Sequence, residues 1–367
     1  MIADIHIIKN YFRLVFIFMT WLKNVIFASY RLLKYIFLTI KTCEMRTIAI
    51  VAGGDSSEYE ISVRSAIEVE KLLSPRYLTY IIMIRGINWY WEDQRGRYHS
   101  IDKNDFTLRT EDQKIRFDAV FIAIHGTPGE NGLLQGYFDM MHIPYSSCGA
   151  FCSSLTFNKQ ACKLFLKEYH IPMAKNIIIR KESHFDIASV ISTAGLPCFV
   201  KPNDSGSSFG VTKVKSLEEL PSAVEKALKE SNEVMIEAFM DGREVACGIV
   251  KVMGKSIVFP VTEIISKNEF FDYEAKYTPG MSNEVTPADM PIKITEEVQE
   301  LSSKIYDLLG CKGIVRVDFI IVDEKPNFLE INTVPGMTEE SIIPKQAKAA
   351  GIELSELYSM VVEDLFK

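Results

Sequence analysis

Two apolar segments near the carboxyl end of the chain carry polar residues at alternating positions. They are Ile314–Val322 and Phe328–Asn332, and the turn-forming stretch Asp323–Asn327 separates them. Because side chains alternate between the two faces of a strand, this pattern predicts an antiparallel hairpin whose polar residues share one surface. Any fold for this chain must therefore bury the other surface of that hairpin in a core.

The polar residues of the predicted hairpin are suited to holding a divalent cation. If the hairpin folds about Glu324, Asp318 faces Glu330 across the two strands. Arg316 then faces Asn332, with paired Cβ atoms about 4.5–5.5 Å apart. Two carboxylates that close repel each other unless a cation lies between them, and an amide oxygen beside them completes the hard donors that Mg²⁺ prefers. A surface salt-bridge cluster is the alternative, which the apolar flanking residues disfavour.

Composition excludes several classes of protein. The 367 residues are 47% hydrophobic and 24% charged, which is typical of a globular chain and not of disordered or fibrous sequences. The net charge of −7 argues against nucleic-acid binding, which requires a basic face. The length is sufficient for two or three domains.

The seven cysteines form no Cys-x-x-Cys pair. Cys148 and Cys152 come closest, and no histidine lies at a zinc-finger offset from them. The pattern therefore favours neither a disulfide framework nor a structural zinc site. Reduced thiols in a cytoplasmic protein are expected.

The chain from Met45 onward begins as an α/β protein. Thr47–Val51 is an apolar, β-rich run that ends in two glycines and precedes a helical pattern, in which Ser57 and Glu60 have the spacing of a capping box. Further strands are predicted at Thr79–Ile84 and Ala119–Ile124. The fold class is expected to be α/β, with α+β character in the strand-rich C-terminal part.

The sequence pattern indicates four segments of the chain. They are a basic apolar leader at 1–44, an N-terminal α/β domain at 45–148, a central domain at 149–232 and a C-terminal domain at 233–367.

The leader contains six basic and two acidic side chains. A basic residue interrupts each apolar run before the roughly 18 residues needed to span a bilayer, and no signal-peptide pattern is present. It could be an amphipathic membrane-surface anchor, an extra helical pair, or upstream sequence ahead of a true start at Met45. The last is favoured, because Met45 directly precedes the first predicted strand.

Other candidate residues concern a phosphate-bearing ligand. Lys201 ends an apolar strand, where a buried cation requires an anion such as phosphate. The loop that follows, with Ser207 and Ser208, could close over phosphate through hydroxyl and backbone N–H groups, although an ordinary hairpin loop has the same composition. Lys159 opens a helix, where it could contact phosphate or be solvated.

Four further residues have weaker signals. His125 lies at a strand end, where ligand crevices of α/β sheets form, or it is structural. Lys276 and Tyr277 belong to a long loop at about 266–291, which is typical of a lid over a site. Gly336 follows the predicted metal hairpin and could offer its N–H group there.

These motifs, in this order and spacing, resemble the D-alanine–D-alanine ligase family of the ATP-grasp superfamily, from about Met45 to the C-terminus. The segments that carry the resemblance are Gly53–Ser62, His125-Gly126, Leu134–Gly136, Lys201-Pro202, Gly206–Val211, Tyr273–Tyr277, Arg316–Asp318 and Glu330–Thr338. The resemblance implies an ATP-grasp architecture with an α/β N-terminal domain.

The resemblance also implies roles around the nucleotide. Lys159, Lys201 and Lys276 would contact phosphates, together with Ser207 and Ser208 of the serine-rich loop. Glu237 and Glu244 would hold adenine and ribose, with the backbone of Met240. Asp318, Glu330 and Asn332 would bind two Mg²⁺ ions, with Mn²⁺ as a possible substitute.

Around the substrates, the resemblance implies that Glu58 orients the ammonium group of the first D-alanine. Ser207 and Tyr277 would join Glu58 in a hydrogen-bonded triad, and His125 would border the substrate. Arg316 and the Gly336 N–H would stabilise an oxyanion. Ser341 would hold the carboxylate of the second D-alanine.

The implied function is ATP-dependent formation of D-alanyl-D-alanine through an acyl phosphate, for peptidoglycan precursor synthesis. A cytoplasmic homodimer is expected, with no membrane contact beyond residues 1–44. Phe271 departs from the family, in which an aromatic with a hydroxyl is frequent there, and Tyr277 favours D-alanine over D-lactate as acceptor.

The sequence is also compatible with other functions. The chain could be another ATP-grasp carboxylate–amine ligase or a D-alanine–D-lactate ligase. It could also be a non-catalytic nucleotide-binding protein of the membrane surface. A dinucleotide oxidoreductase is disfavoured, because the glycine pair lacks the Gly-x-Gly-x-x-Gly spacing.

Overall fold

A computed structural model of the chain describes residues 19, 45–181, 186–204, 206, 209–266 and 282–367. Residues Thr47–Lys367 form one unit, which is the part described below. Several expectations lie outside the described residues: those for most of the leader, Ser207, Ser208, Phe271, Lys276 and Tyr277.

The first sheet has seven strands in the order β6-β5-β4-β3-β2-β1-β7. Its apolar strand β1 (Thr47–Gly53) lies next to the edge and is flanked in parallel by β2 (Leu78–Arg85) and β7 (Ala119–Ile122). All residues of β1 after Thr47 are buried. An antiparallel extension consists of β3 (Asn88–Glu92), β4 (Tyr98–Asp102), β5 (Thr107–Arg109) and β6 (Lys114–Ile115).

Helices cover both faces of this sheet. On one face, α1 (Tyr59–Leu73) and the C-terminal α9 (Leu354–Asp364) pack their apolar residues against alternate residues of β1. On the other face, α2 (Leu133–Met141) contributes Leu134 and Phe138. The capping box predicted for α1 is absent: Glu58 is the N-cap, and the hydroxyl of Ser56, not of Ser57, accepts the Glu58 N–H.

The second sheet is antiparallel, with four strands in the order β10-β9-β11-β8. Helices α3 (Ala150–Phe157) and α4 (Lys159–Lys167) precede it. Two more helices, α5 (Ile187–Ala194) and α6 (Leu220–Ala227), pack on it through a small core that includes Val190 and Val224. The strands are β8 (Asn176–Arg180), β9 (Cys198–Pro202), β10 (Thr212–Val214) and β11 (Glu233–Ala238).

The third sheet runs in the order β15-β14-β12-β16-β17, with β13 paired to β12. The long helix α7 (Ile292–Leu308) packs Val298 and Ile305 against the apolar face of β16. Helix α8 (Ile342–Ala349) follows the last strand. The strands are β12 (Arg243–Val252), β13 (Lys255–Val258), β14 (Thr262–Ser266), β15 (Ser282–Val285), β16 (Ile314–Val322) and β17 (Lys325–Asn332).

The β16–β17 hairpin has the predicted register at its far end and a shifted one at its turn. Val322 pairs with Lys325, so the turn consists of Asp323 and Glu324, which both have positive φ as a two-residue type I′ turn requires. A β-bulge at Leu329 inserts one residue and restores the predicted pairs beyond it.

Mixed α/β architecture with an antiparallel C-terminal part is thereby confirmed. None of the helices in the described part of the chain has both the length and the apolarity that crossing a bilayer would demand.

Candidate active site

A cavity of about 1220 Å³ is bordered by residues of the second and third sheets and by residues that follow two strands of the first sheet, such as Glu58 and His125. It brings together nearly all of the described residues that the sequence pointed to. Those lining it are Glu58, His125, Lys159, Lys201, Glu237, Met240, Glu244, Arg316, Glu330, Asn332, Gly336 and Ser341. Asp318 does not line the cavity, but it contacts Arg316, which does.

The acidic hairpin, by which we mean Arg316, Asp318, Glu330 and Asn332, is the first charged region of the cavity. Asp318 is a Cα partner of Glu330, and Arg316 is a Cα partner of Asn332, as the alternation predicted. Asp318 is buried and accepts hydrogen bonds from Arg316 Nε at 2.7 Å and Nη2 at 2.7 Å. Asn332 Nδ2 donates to the same carboxylate at 3.2 Å.

Arg316 compensates the charge of Asp318. Burial by itself lowers the pKa of Arg316, but the charge and hydrogen bonds of Asp318, with the charge of Glu330, outweigh burial and raise it above the ordinary value. The guanidinium is therefore held charged beside the two carboxylates, and the group retains one surplus negative charge.

The donor set of the acidic hairpin fits Mg²⁺. It offers carboxylate oxygens from Asp318 and Glu330, and the amide of Asn332 presents an oxygen when it is rotated by half a turn. Arg316 bonds both oxygens of Asp318, so an ion bound there shares that carboxylate with the guanidinium.

The lysine cluster, by which we mean Lys163, Lys201 and Glu237, is the second charged region. Lys163 Nζ lies 2.5 Å from Glu237 Oε1, and Lys201 Nζ lies 2.6 Å from Glu237 Oε2. All three side chains are buried. The anion that the sequence required for Lys201 is thus Glu237, and the cluster as a whole keeps one surplus positive charge.

The pKa directions in the lysine cluster follow from burial and charge. Burial by itself raises the pKa of Glu237, but attraction from Lys163 and Lys201 outweighs it, so the pKa is lowered and the carboxylate is ionised. For Lys163, burial is the larger influence and lowers its pKa, against the opposing attraction of Glu237.

Backbone contacts fix the lysines relative to each other. Lys159 is the first residue of α4, whose N-cap Asn158 accepts from Ala161 N at 2.9 Å. Asn203, just after β9, accepts from Lys159 N at 3.0 Å through its carbonyl, and its side chain accepts from Gln160 N at 2.9 Å. The start of α4 is therefore attached to the end of the strand that carries Lys201.

Aromatic side chains border the far side of the cavity, near Met240 and Glu244. The rings of Phe199 and Phe239 are tilted by 45° to each other, with centroids 6.0 Å apart. Lys213 Nζ lies 4.0 Å from the centroid of the Phe239 ring. An aromatic, partly cationic surface of this kind suits a heteroaromatic base.

Glu58 faces the serine-rich loop. A Cβ atom added at Gly206 would lie 2.5 Å from Glu58 Oε2, so the backbone of the loop approaches this carboxylate closely. Ser207 is the next residue in the chain. The predicted triad of Glu58, Ser207 and Tyr277 stays a prediction, because its last two members lie outside the described residues.

His125 is held by protein groups at both ring nitrogens. Nδ1 lies 2.8 Å from the Val334 carbonyl, which can only accept, so Nδ1 carries the proton; Nε2 then accepts from Ser65 Oγ at 3.2 Å. Burial lowers the pKa of His125, which keeps the ring neutral. Met337 N donates to Ser65 Oγ at 3.4 Å and extends the network. This arrangement gives His125 a positioning role, and its contact with substrate stays a prediction.

Glu130 was not recognised in the sequence, where it is one residue of a glycine-rich loop. Its carboxyl accepts from Gly126 N at 2.7 Å and Val334 N at 3.3 Å, and it lines the cavity. Burial, with the nearby charge of Glu58, raises the pKa of Glu130 to about 8. Lys163 was missed for a related reason, since only the fold places it against Glu237.

The loop after β17 ends in the N-terminus of helix α8. Ser341 is the N-cap residue, and its hydroxyl lies 2.8 Å from Thr338 Oγ1. A Cβ atom at Gly336 would lie 2.7 Å from Ser341 Oγ, so these two predicted residues adjoin. Free N–H groups at a helix start favour an anion, and a carboxylate fits this end of the cavity.

Comparisons with known proteins agree with this geometry. The family model for the D-ala D-ala ligase N-terminus matches residues 47–148, and the model for the D-ala D-ala ligase C-terminus matches residues 165–363. A D-alanine–D-alanine ligase of Phocaeicola vulgatus is 51% identical over 323 residues, which cover 88% of this chain and 99% of that protein.

Solved structures give the same result for the fold. D-alanyl-alanine synthetase A of Vibrio cholerae superimposes with a TM-score of 0.78 at 28% identity, covering 88% of this chain and 99% of that one. The VanG D-Ala:D-Ser ligase of Enterococcus faecalis has a TM-score of 0.78 at 30% identity, covering 88% and 100%. The expected ATP-grasp fold is confirmed, and a non-catalytic function is not favoured. On these matches, the chain belongs to the D-alanine–D-alanine ligase family.

Proposed function

We propose that this protein joins two D-alanine molecules into D-alanyl-D-alanine, with conversion of ATP to ADP and phosphate, to supply a peptidoglycan precursor. The chain belongs to the D-alanine–D-alanine ligase family, and one structural observation supports the proposal. Residues of the acidic hairpin, of the lysine cluster and of the start of α8 border a single cavity, so sites suited to a cation, a phosphate chain and a carboxylate lie side by side.

The lysine cluster and Lys159 receive the phosphate groups of ATP. The surplus positive charge of the cluster attracts the anion, and burial strengthens that attraction. The base lies against Phe199 and Phe239 and is bonded by the backbone of Met240, and Glu244 accepts from ribose hydroxyls. We assign Ser207, Ser208 and Lys276, which lie outside the described residues, to further phosphate contacts.

Asp318, Glu330 and Asn332 hold two Mg²⁺ ions, and Mn²⁺ can replace them. When bound, these ions neutralise charge on the transferring phosphoryl group and on ADP. The hairpin supplies the rigid part of this arrangement, because cross-strand pairing fixes the spacing of the two carboxylates.

The first D-alanine is oriented through its ammonium group by Glu58. Its carboxylate attacks the γ-phosphorus of ATP, the bond to the β-phosphate oxygen breaks, and an acyl phosphate and ADP result. This intermediate must be kept from water, and we assign that task to the loop with Lys276 and Tyr277.

The second D-alanine binds through its carboxylate at Ser341 and the start of α8. Its deprotonated amine attacks the acyl carbon, and the oxygen of the tetrahedral intermediate becomes negatively charged. Arg316 and the Gly336 N–H stabilise that oxyanion. The carbon–oxygen bond to phosphate then breaks, and the peptide bond remains.

We further propose that the protein acts in the cytoplasm as a homodimer. Large apolar side chains are exposed on three consecutive helices, namely Leu133 and Met140 on α2, Phe151 on α3 and Leu164 on α4. Such surfaces are common where chains associate. The domain limits at 148 and 232 are part of the same proposal.

The decisive experiment is phosphate release by the purified full-length chain with D-alanine, ATP and Mg²⁺. We expect release that requires D-alanine, with one dipeptide formed per phosphate. The matched control replaces D-alanine by L-alanine and should give only background. Release that is independent of D-alanine, or phosphate without dipeptide, would refute the proposal.

Acceptor choice needs a separate assay, because a relative in this fold is a D-Ala:D-Ser ligase. We expect D-alanine to be preferred over D-serine and D-lactate as the second substrate. Faster formation of the depsipeptide than of the dipeptide near neutral pH would reassign the acceptor and leave the first half-reaction intact.

A further inference from the structure

Three cysteines from distant parts of the sequence meet beside helix α3. Cys148 precedes α3, Cys152 lies within it, and Cys311 follows α7. Their sulfur atoms all lie within 4.8 Å of one another. All three are buried, and the six cysteines in the described part of the chain are free thiols. This group could not be predicted from spacing along the chain, because Cys311 lies 159 residues beyond Cys152.

The spacing of the sulfur atoms fits a metal ion. Cys152 Sγ and Cys311 Sγ are 3.7 Å apart. Two thiolates bound to one tetrahedral Zn²⁺, each at about 2.3 Å, lie about 3.8 Å from each other. The two sulfurs are therefore already separated as ligands of a common ion would be.

The backbone around the three thiols is tightly fixed. Lys312 N donates to Cys148 Sγ at 3.4 Å, and the Cys148 thiol lies 3.4 Å from the Lys312 carbonyl. A Cβ atom at Gly313 would lie 2.1 Å from the Ser146 carbonyl oxygen, so the two segments cross where only glycine fits. Ligands held by such a crossing need little rearrangement to bind an ion.

The surroundings select the class of ion. The thiols lie in an apolar core with Tyr306 and Leu309, and the described residues add no carboxylate or imidazole to the group. Mg²⁺ and Ca²⁺ require oxygen ligands, whereas thiolates favour softer ions such as Zn²⁺. Cys311, which is 8% exposed, is the most accessible of the three.

We propose that Cys148, Cys152 and Cys311 form a binding site for a thiophilic divalent cation of the Zn²⁺ class. Each thiol that binds loses its proton to solvent, and no electron is transferred. The bound ion would connect α3 to Cys311, which lies three residues before β16 begins at Ile314. This is a structural site, separate from the oxygen ligands of the acidic hairpin.

Buried cysteines also serve as small apolar core residues, and a binding experiment separates the two roles. The reduced, metal-free full-length chain is titrated with Cd²⁺ in excess Mg²⁺, and thiolate-to-cadmium absorption is followed in the ultraviolet. This absorption reports sulfur ligands only, so ions at carboxylates do not contribute. Zn²⁺ affinity is then measured by competition with a chromophoric chelator.

We expect about one ion per chain in the wild type. Cys311→Ser should weaken binding by more than about 100-fold, since losing even an outer-shell partner of a metal site costs 10–100-fold. The matched control is Cys198→Ser, which alters a buried cysteine in the separate core of the second sheet and should bind as the wild type does. Equal binding by wild type and Cys311→Ser would overturn the proposal.

A second measurement needs no variant and so does not depend on the folding of a mutant. Alkylation of each cysteine in the wild type is followed by mass spectrometry, with and without one equivalent of Zn²⁺. Labelling of Cys148, Cys152 and Cys311 should slow by at least about tenfold, while Cys198 is labelled at an unchanged rate. Unchanged rates at all four cysteines would count against the site.

Discussion

The acidic hairpin and the lysine cluster are two buried charged regions of one cavity, and their surplus charges have opposite sign. In the hairpin, the cation Arg316 is hydrogen-bonded to the Asp318 carboxylate, which is paired across the strands with Glu330. In the cluster, the carboxylate Glu237 forms ion pairs with both Lys163 and Lys201. Among the residues that define each region, one carboxylate is in excess in the hairpin and one lysine is in excess in the cluster. A nucleotide bound with divalent metal carries charges that complement both.

The two regions also differ in how they are assembled. Adjacent strands joined by a two-residue turn bring the hairpin residues together, so their spacing follows from local pairing. The lysine cluster requires helix α4 and strands β9 and β11 to meet. Local assembly gives a rigid site, whereas assembly from three elements makes the second site sensitive to how those elements pack.

The largest effect is expected from removing charge in the acidic hairpin. Asp318→Asn takes away one of two carboxylates and the partner of Arg316, so turnover should fall by at least about 100-fold. Phosphate release at saturating substrates measures this, and circular dichroism checks that the fold persists. Asp307→Asn, which alters an exposed surface ion pair with Lys251, is the control and should change turnover little.

Turnover of Asp318→Asn within about threefold of wild type, roughly 0.7 kcal/mol in the barrier, would contradict metal binding at the hairpin. Of the two charged regions, the lysine cluster alone would then be expected to bind part of the nucleotide–metal complex.

The next effect concerns the surplus charge of the lysine cluster. Lys163→Met leaves Lys201 and Glu237 as a neutral pair, so the dissociation constant for ATP should rise about tenfold. Loss of a buried ion-pair partner should also lower the free energy of unfolding by about 2 kcal/mol. Calorimetric titration and thermal unfolding measure the two effects.

Lys167→Met is the matched control, because Lys167 lies on the same helix with its side chain exposed. It should leave ATP affinity unchanged. If Lys163→Met binds ATP as tightly as this control does, the surplus charge plays no part in binding the phosphates.

The same difference in assembly explains what could be predicted from sequence. The strand pattern around Asp318 and the pairing of Arg316 with Asn332 followed from alternation, because both depend on neighbours along the chain. The alternation predicted a turn centred on Glu324, whereas the turn consists of Asp323 and Glu324. The bulge at Leu329 offsets this one-residue difference, and such a bulge could not be predicted from the sequence pattern. Lys163 and Glu130 were missed because their burial depends on contacts between distant segments.

Sequence motifs still located twelve residues that line the cavity, because family motifs mark residues by their order in the chain. They could not give the partners of those residues. His125 is an example: its motif marks a strand end, but only the fold places Val334 and Ser65 at its two ring nitrogens.

A smaller effect distinguishes two buried carboxylates. Glu237 forms ion pairs with two lysines, whereas Glu130 accepts hydrogen bonds from backbone N–H groups. Lysines lower the pKa of Glu237, whereas burial raises that of Glu130 from its ordinary 4.5 to about 8. Between those two pH values the folded state keeps a proton on Glu130 that the unfolded state has lost. The stabilisation from this group is therefore complete below pH 4.5 and is lost as pH rises through 8.

In Glu130→Gln, the melting temperature should consequently fall less between pH 5 and pH 8 than in the wild type, by a few degrees. Thermal unfolding across that range measures the slope, whatever the absolute stability of the variant. Glu296→Gln, at an exposed position, should retain the wild-type slope. Parallel slopes for Glu130→Gln and wild type would mean that Glu130 is ionised in the folded protein.

The smallest effect is expected at the turn of the hairpin. The bulge at Leu329 lies between this turn and the paired carboxylates Asp318 and Glu330. Glu324 has a φ of 61°, which glycine adopts without strain, so Glu324→Gly should stabilise the protein by about 0.5 kcal/mol. Lys325→Gly, at the adjoining strand position, should instead destabilise it by about 0.5–1 kcal/mol. Turnover of both variants should equal that of wild type, because Asp318 and Glu330 pair beyond the bulge. A change in turnover for Glu324→Gly would show that turn strain reaches the carboxylates, and the acidic hairpin would then be less rigid than its local assembly implies.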